Sequence, residues 1–246
     1  AASLAKIERI CRKLDLQAGD RVLEIGTGWG GFAVHAARYH GCHVTTTTLS
    51  TRQLAYARRR VREEGLDDRV VVLDRDYRNL EGTFDKVVSI EMIEAVGHRY
   101  LDRFFGVCSD RLAPGGAMLL QAIVMADRYY RDYLGSVDFI QRHIFPGGCL
   151  PAVSAMTASI ARRTDLRLVD LEDLTGDYAE TLFVWRRRFL AHQQQVLDLG
   201  FSEEFLRLWE FYFRYCEGAF REQVIGDVQM VLAKSAYRPS TGRVRR

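Results

Sequence analysis

Short apolar runs recur along the chain, separated by polar stretches long enough for helices. Residues 21–25 (RVLEI) run into glycines and predict a buried parallel strand. Residues 32–39 read as a helix, and the β-branched stretch 43–48 (HVTTTT) predicts a second strand. Ser50 stands where an N-cap belongs, before a helix from about Thr51 to Glu64, and Gly65 supplies a left-handed stop. Strands three and four are expected at 69–73 and 85–90, then a helix at 98–111. Pro114-Gly115-Gly116 predicts a turn into strand five at 117–123. A sixth strand is expected at 166–171, helices fill 180–222, and 227–233 reads as the last strand. Alternating strands and helices predict an α/β fold: a mostly parallel, seven-stranded sheet with helices on both faces.

Residues 124–160 break this rhythm, being aromatic and polar with a Phe145-Pro146-Gly147-Gly148 turn. They are expected to form a helical insertion after strand five that covers the site. One catalytic domain is expected over 1–235, with 236–246 as a disordered tail. The chain begins without methionine inside a helical pattern (Leu4, Ile7, Ile10, Cys11, Leu14), so a segment or domain is expected upstream of residue 1.

Composition narrows the class. The 246 residues are 48% hydrophobic and 27% charged, which suits one globular domain that needs no disulfides. Five cysteines, an odd number without a CxxC pair, read as reduced thiols of a cytoplasmic protein and give no metal site. A net charge of +3 is too small to argue for nucleic acid, yet permits weak attraction to an anionic membrane surface. No apolar run approaches the length of a membrane span. Arginines cluster at Arg58, Arg59, Arg60 and Arg62 and at Arg186, Arg187 and Arg188, which read first as solvated helix faces.

The most informative local feature is Glu24-Ile25-Gly26-Thr27-Gly28-Trp29-Gly30-Gly31, between strand one and a helix. Glycines there let the backbone turn tightly and approach a ligand, beside an electropositive helix end. The run fits the dinucleotide pattern GxGxxG at Gly26, Gly28 and Gly31. It also fits the methyltransferase pattern at Glu24, Gly26, Gly28 and Gly30. A nicotinamide cofactor wants an acid at the end of strand two, where this chain has Thr45-Thr46-Thr47-Thr48. S-adenosylmethionine has no phosphate, and Glu24 is placed to orient its cationic amino group. The local features favour S-adenosylmethionine.

Further runs extend the comparison: Thr48-Leu49-Ser50-Thr51-Arg52-Gln53; Asp76-Tyr77-Arg78; Ser89-Ile90-Glu91-Met92-Ile93-Glu94-Ala95-Val96-Gly97; Asp138-Phe139-Ile140-Gln141; Ile144-Phe145-Pro146-Gly147-Gly148-Cys149-Leu150-Pro151; Asp177-Tyr178-Ala179-Glu180-Thr181-Leu182; and Tyr215-Cys216-Glu217-Gly218-Ala219-Phe220. With the glycine turn, they resemble the cyclopropane-fatty-acyl-phospholipid synthases and mycolic acid cyclopropane synthases across nearly the whole chain. The resemblance implies a Rossmann-like class I S-adenosylmethionine-dependent methyltransferase fold. It implies that Gly26, Gly28, Thr48, Gln53, Tyr77 and Ile90 line the cofactor, with Glu24, Trp29, Gly30 and Asp76 as further candidates. It also implies a bound bicarbonate as base, held by Glu94, Tyr178, a backbone group near Ile123, a histidine and an upstream cysteine. This chain departs from that pattern. Thr27 stands where the family usually has cysteine, the cysteine ligand lies upstream of Ala1, and Gln121 occupies the histidine position. Glutamine hydrogen-bonds an anion but carries no charge and shuttles no proton.

The implied reaction puts a one-carbon unit onto the double bond of an unsaturated phospholipid acyl chain. An alkene attacks an electrophilic methyl only when both are aligned in a dry pocket, and the resulting cation must lose a proton. Loss from the new methyl closes a cyclopropane; loss elsewhere gives a methylene or shifted alkene, which a partner reductase turns into a methyl branch. Cyclopropanation is the first expectation, fatty-acyl C-methylation the second and small-molecule N-methylation the third. Peripheral contact with a membrane is expected, and a homodimer is compatible with the sequence. Many aromatics, among them Tyr129, Phe139, Phe145, Trp185 and Tyr212, are candidates for an acyl wall, most of them core.

Overall fold

The computed structural model describes residues 2–238. Helix α1 (Ala2–Lys13) leads into β1 (Arg21–Ile25), α2 (Gly31–His40), β2 (His43–Thr48), α3 (Thr51–Glu63) and β3 (Val70–Asp74). Then come β4 (Phe84–Ile90), α4 (Leu101–Arg111), β5 (Leu112–Met125), α5 (Asp127–Leu134), α6 (Phe139–His143) and α7 (Val153–Arg163). The chain closes with β6 (Arg167–Asp173), α8 (Thr175–Ala191), α9 (Gln193–Asp198), α10 (Glu203–Arg221) and β7 (Ile225–Ala233). The strands form one seven-stranded sheet in the order β3-β2-β1-β4-β5-β7-β6. All neighbours pair parallel except β5 with β7 and β6 with β7.

Strand side chains alternate between two apolar faces, which is why the strands read as continuous hydrophobic runs. Val22, Val88 and Leu119 face one core with Ile10 of α1, Leu14 just after it, Phe32 of α2 and Val61 of α3. Leu23, Val87, Met118 and Leu120 face the other with Phe104 and Phe105 of α4 and Met156 and Ile160 of α7. A third cluster joins α8 and α10 through Leu182, Phe213 and Phe220, with Ile123 and Tyr178 packed against it. Order in the sheet reverses between β1 and β4, and the C-terminal ends of strands at such a reversal are where α/β sheets place a ligand crevice.

Local signals hold where they were strongest. Ser50 caps α3 by accepting from the Gln53 N–H, and Gly65 has φ of 64°. Three expectations need correction. The predicted turn at Pro114-Gly115-Gly116 lies inside β5, at a register shift against β4; a Cβ on Gly116 would sit 2.9 Å from the Asp85 carbonyl oxygen, so the close approach demands glycine. The range 124–160 expected for the insertion overlaps β5, which runs to Met125, and α7, whose Met156 and Ile160 pack in the core with Phe104 and Phe105 of α4. Within the tail expected from 236, Tyr237 is buried, with the Lys86 ammonium 5.5 Å from its ring centroid. Residues 239–246 lie outside the described residues.

Candidate active site

The glycine turn forms one wall of the crevice. Gly26, Gly28 and Gly30 all have positive φ, at 101°, 51° and 76°, and a Cβ on Gly26 would lie 3.2 Å from Met92. The turn is tied down by Gly26 and Thr27 N–H groups donating to the Thr47 carbonyl, and by the Thr27 and Thr46 hydroxyls at 2.7 Å. Glu24, at the end of β1, is 3% exposed, and its Oε2 has no partner. Burial pushes its pKa up to about 8, against a hydrogen bond from Thr46. The orphaned buried oxygen and a cradle that a Cβ would fill are what S-adenosylmethionine needs: an acceptor for its ammonium and backbone open to close approach.

The other expected cofactor residues line the same strand ends. Thr48 Oγ1 donates to Gln53 Oε1 at 3.0 Å, fixing the start of α3. Trp29 is largely exposed and packs edge-on against Tyr56, with ring centroids 5.3 Å apart. Tyr77 is half-buried against Phe104, and Ile90 ends β4. Asp76 is committed elsewhere: its carboxylate accepts from Arg78 Nε at 2.8 Å and Nη2 at 2.5 Å, a pairing that lowers its pKa.

Across the crevice, four elements bring acids and donors together. Glu94 sits on a one-turn helix after β4, and its Oε1 accepts from the Ile123 N–H at 2.6 Å. Its Oε2 is buried without a partner, and desolvation raises its pKa to about 7. The insertion clamps this turn through the Cys149 N–H, which donates to the Glu94 carbonyl at 2.8 Å. Tyr178 and Gln121 hydrogen-bond to a different acid, Glu91. Tyr178 donates to Glu91 Oε2 at 2.8 Å, and Gln121 Nε2 donates to Glu91 Oε1 at 3.1 Å. Lys6 from α1 donates to the same Oε1 at 3.0 Å.

Glu91, Lys6, Asp227 and Gln229 are the participants that sequence reasoning missed. Glu91 stood inside a quoted motif, three residues before Glu94, without a role. Its φ is 51°, a conformation that costs a non-glycine residue about 1 kcal/mol or more. Gln121 Nε2 also donates to Asp227 Oδ2 at 2.8 Å, while its Oε1 accepts from Gln229 Nε2 at 3.1 Å. The antiparallel register makes this possible, placing Gln121 opposite Gln229 and Ile123 opposite Asp227. Burial, reinforced by Glu91, pushes the Asp227 pKa up to about 8. Desolvation and the neighbouring Glu91 hold the Tyr178 hydroxyl well above its ordinary pKa, so it stays a donor. Its ring stacks on Phe220, with centroids 4.8 Å apart.

The bicarbonate implied by the resemblance does not fit this donor set. Tyr178, Gln121 and the Ile123 N–H are all occupied by side-chain carboxylates of the protein. Elsewhere, the fold does assemble a cluster the sequence did not suggest: Cys11, His35 and His40 place ligand atoms within 4.8 Å of one another. There Glu8 Oε2 already pairs with both imidazoles at 3.0 Å.

Residues 1–230 match the family described as mycolic acid cyclopropane synthetase. The chain is 41% identical over 234 residues to the tuberculostearic acid methyltransferase UfaA1 of Mycobacterium tuberculosis, covering 95% of this chain and 55% of that protein. It is 38% identical over 236 residues to the cyclopropane-fatty-acyl-phospholipid synthase of Escherichia coli, covering 95% and 58%. The chain thus spans a little over half the length of these two relatives. Among solved structures, the cyclopropane synthase MmaA2 from Mycobacterium tuberculosis superposes with a TM-score of 0.86 at 29% identity, over 94% of this chain and 84% of that one. The mycolic acid cyclopropane synthase CmaA1, solved with SAH and CTAB, gives 0.86 at 28% identity and the same coverage. The match over residues 1–230, the identities to these relatives and the superposition place the chain in the mycolic acid cyclopropane synthetase family, on a class I S-adenosylmethionine-dependent methyltransferase fold.

Proposed function

We propose that this protein transfers a one-carbon unit from S-adenosylmethionine to the double bond of an unsaturated fatty-acyl chain carried by a phospholipid, with a cyclopropane as product. The observation that carries the reading is the pairing of an acceptor-bearing glycine cradle with enclosed carboxyl groups across the crevice. An amine needs no such group, because it is itself a nucleophile with an exchangeable proton. An alkene leaves a cation whose C–H proton must be taken by a base held within reach. When bound, S-adenosylmethionine supplies an electrophilic methyl on a sulfonium. The chain supplies Glu24 for the ammonium, positive-φ glycines for close approach, and apolar surface from Ile123, Tyr178 and Phe220 that excludes water.

A second reading, C-methylation giving a methylene or methyl branch, is favoured by Gln121 at the histidine position and by the 41% identity to a tuberculostearic acid methyltransferase. The methyl product requires a reductase partner. Peripheral membrane contact suits both readings. No helix among the described residues is long and apolar enough to cross a membrane. Exposed Val137 and Phe145 of the insertion and Phe211 of α10 offer apolar surface for such contact.

The test is mass spectrometry of lipids from cells expressing the full-length protein. A gain of one CH2 in unsaturated acyl chains is expected, and NMR then separates ring methylene from exocyclic methylene. Unchanged lipids together with methylated amines would overturn the assignment.

A further inference from the structure

We propose that the Glu91 carboxylate fills the anion position of this site and takes the proton released after carbon transfer, so that turnover needs no dissolved bicarbonate. The inference rests on the acyl-alkylation reading above and concerns how that reaction ends.

Three donors from three distant parts of the chain converge on this one carboxylate. Tyr178 of α8 binds one oxygen, and Gln121 of β5 and Lys6 of α1 bind the other. The Glu91 N–H donates to the Gln121 carbonyl at 2.9 Å, which locks the residue at the end of β4. The strained φ is maintained although glycine would relieve it, as expected where a side chain is required at a position the backbone disfavours. Gln121 can present its NH2 group to Glu91 only if its carbonyl is engaged elsewhere. Gln229 engages that carbonyl, and Asp227 accepts the second amide hydrogen. Asp227 and Gln229 are therefore positioning residues: they act on Glu91 through Gln121.

The groups facing Glu91 suit a proton acceptor. Lys6 is cationic, Tyr178 and Gln121 are neutral donors, and Glu94 and Asp227 lie nearby with partnerless buried oxygens. Once the alkene π pair has become the new carbon–carbon bond, positive charge sits on the neighbouring carbon. A C–H electron pair collapses toward it, forming the ring bond or a new double bond, and the proton goes to Glu91. Glu91 becomes a neutral acid and returns its proton to water along its open side, where its side chain is 24% exposed and that of Lys6 34%.

Two variants of the full-length protein test this. Glu91→Gln keeps the shape but not the basicity, and turnover of an unsaturated phospholipid should fall on the order of 10²–10⁴-fold with SAH affinity retained. Glu91→Gly suits the backbone and so should fold, while leaving the Tyr178, Gln121 and Lys6 donors without their acceptor. Formate should raise the melting temperature of cofactor-free Glu91→Gly, leave that of wild type unchanged, and restore at least about tenfold of the lost turnover. Wild type should run at full rate in bicarbonate-free buffer. A wild type that stops without bicarbonate, a Glu91→Gln variant at full rate, or a Glu91→Gly variant indifferent to formate each overturns the assignment. A wild type that turns over no unsaturated lipid sinks the acyl reading instead. Formate stabilisation of Glu91→Gly then tells the two failures apart: its presence keeps the anion position, its absence removes it.

Discussion

The two walls of the crevice are built on opposite plans. Most of the cofactor wall comes from neighbours in sequence: β1, the glycine turn and the β2–α3 junction lie within residues 21–63, with Tyr77 added from just after β3 and Ile90 from the end of β4. The acceptor wall gathers Lys6, Glu91, Gln121, Tyr178, Asp227 and Gln229, with hydrogen-bonded partners up to 108 residues apart. The first wall is backbone, open and glycine-lined; the second is side chains, paired and mostly enclosed. A backbone cradle adapts one cofactor to many reactions. A side-chain constellation held by α1, the end of β4, β5, α8 and β7 determines what happens to the substrate, and is the part a relative can change.

If the walls are separable, damage to one should spare the other. On the acceptor side, Glu94→Gln should lower turnover by about 100-fold or more while SAH affinity changes less than about twofold. Calorimetry with SAH beside a lipid assay checks this, and a large loss of affinity breaks the division. On the cofactor side, Gly26→Ala forces a side chain onto φ of 101° and against Met92. Strain of about 1–3 kcal/mol should weaken SAH binding roughly 10–100-fold. At saturating cofactor much of the rate should return, and an uncorrectable loss would show that the walls are coupled.

Both walls bury an acid, and that gives a test on the protein without cofactor. The pKa of Glu24 rises from 4.5 to about 8 on folding and that of Asp227 from 3.8 to about 8. Between those limits the folded chain holds protons that the unfolded chain has lost. Stability therefore falls as pH rises through this window, by at most ~1.4 kcal/mol per unit for each group, and levels off above it. Glu24→Gln should flatten part of the decline in melting temperature from pH 5 to pH 8. Asp227→Asn should flatten a separate part, and scanning calorimetry of the double variant should show the two adding. The smallest effect belongs to Lys6→Met. Its pair with Glu91 is about a third exposed, so stability should change by less than about 1 kcal/mol, measured by urea denaturation.

Legibility in the sequence follows the same division. The glycine turn, the Ser50 cap and the Gly65 stop depend on backbone torsions of a few consecutive residues, so residue type reveals them. Pro114-Gly115-Gly116 carries turn chemistry and so reads as a turn, whereas the pairing of β4 with β5 absorbs it as a bulge at the beginning of β5. The first part of α7 reads as insertion because nothing local tells a lid from a helix packed in the core with Met118 and Leu120. Glu94, Tyr178 and Gln121 were found through motif resemblance. The Glu91 to which two of them bind carried only an acid at the end of a strand as its signal.

By itself, the order of apolar runs and glycines determined an alternating α/β sheet with a ligand cradle after β1, because strand burial and positive φ are properties of short segments. Which carboxylate the Tyr178 and Gln121 donors serve was decided only in three dimensions. That choice depends on the antiparallel return of β7 beside β5 and on α1 and α8 converging over the end of β4. Hydrogen bonds between such distant residues exist only once the chain is packed, and their energy depends on burial that no local pattern encodes.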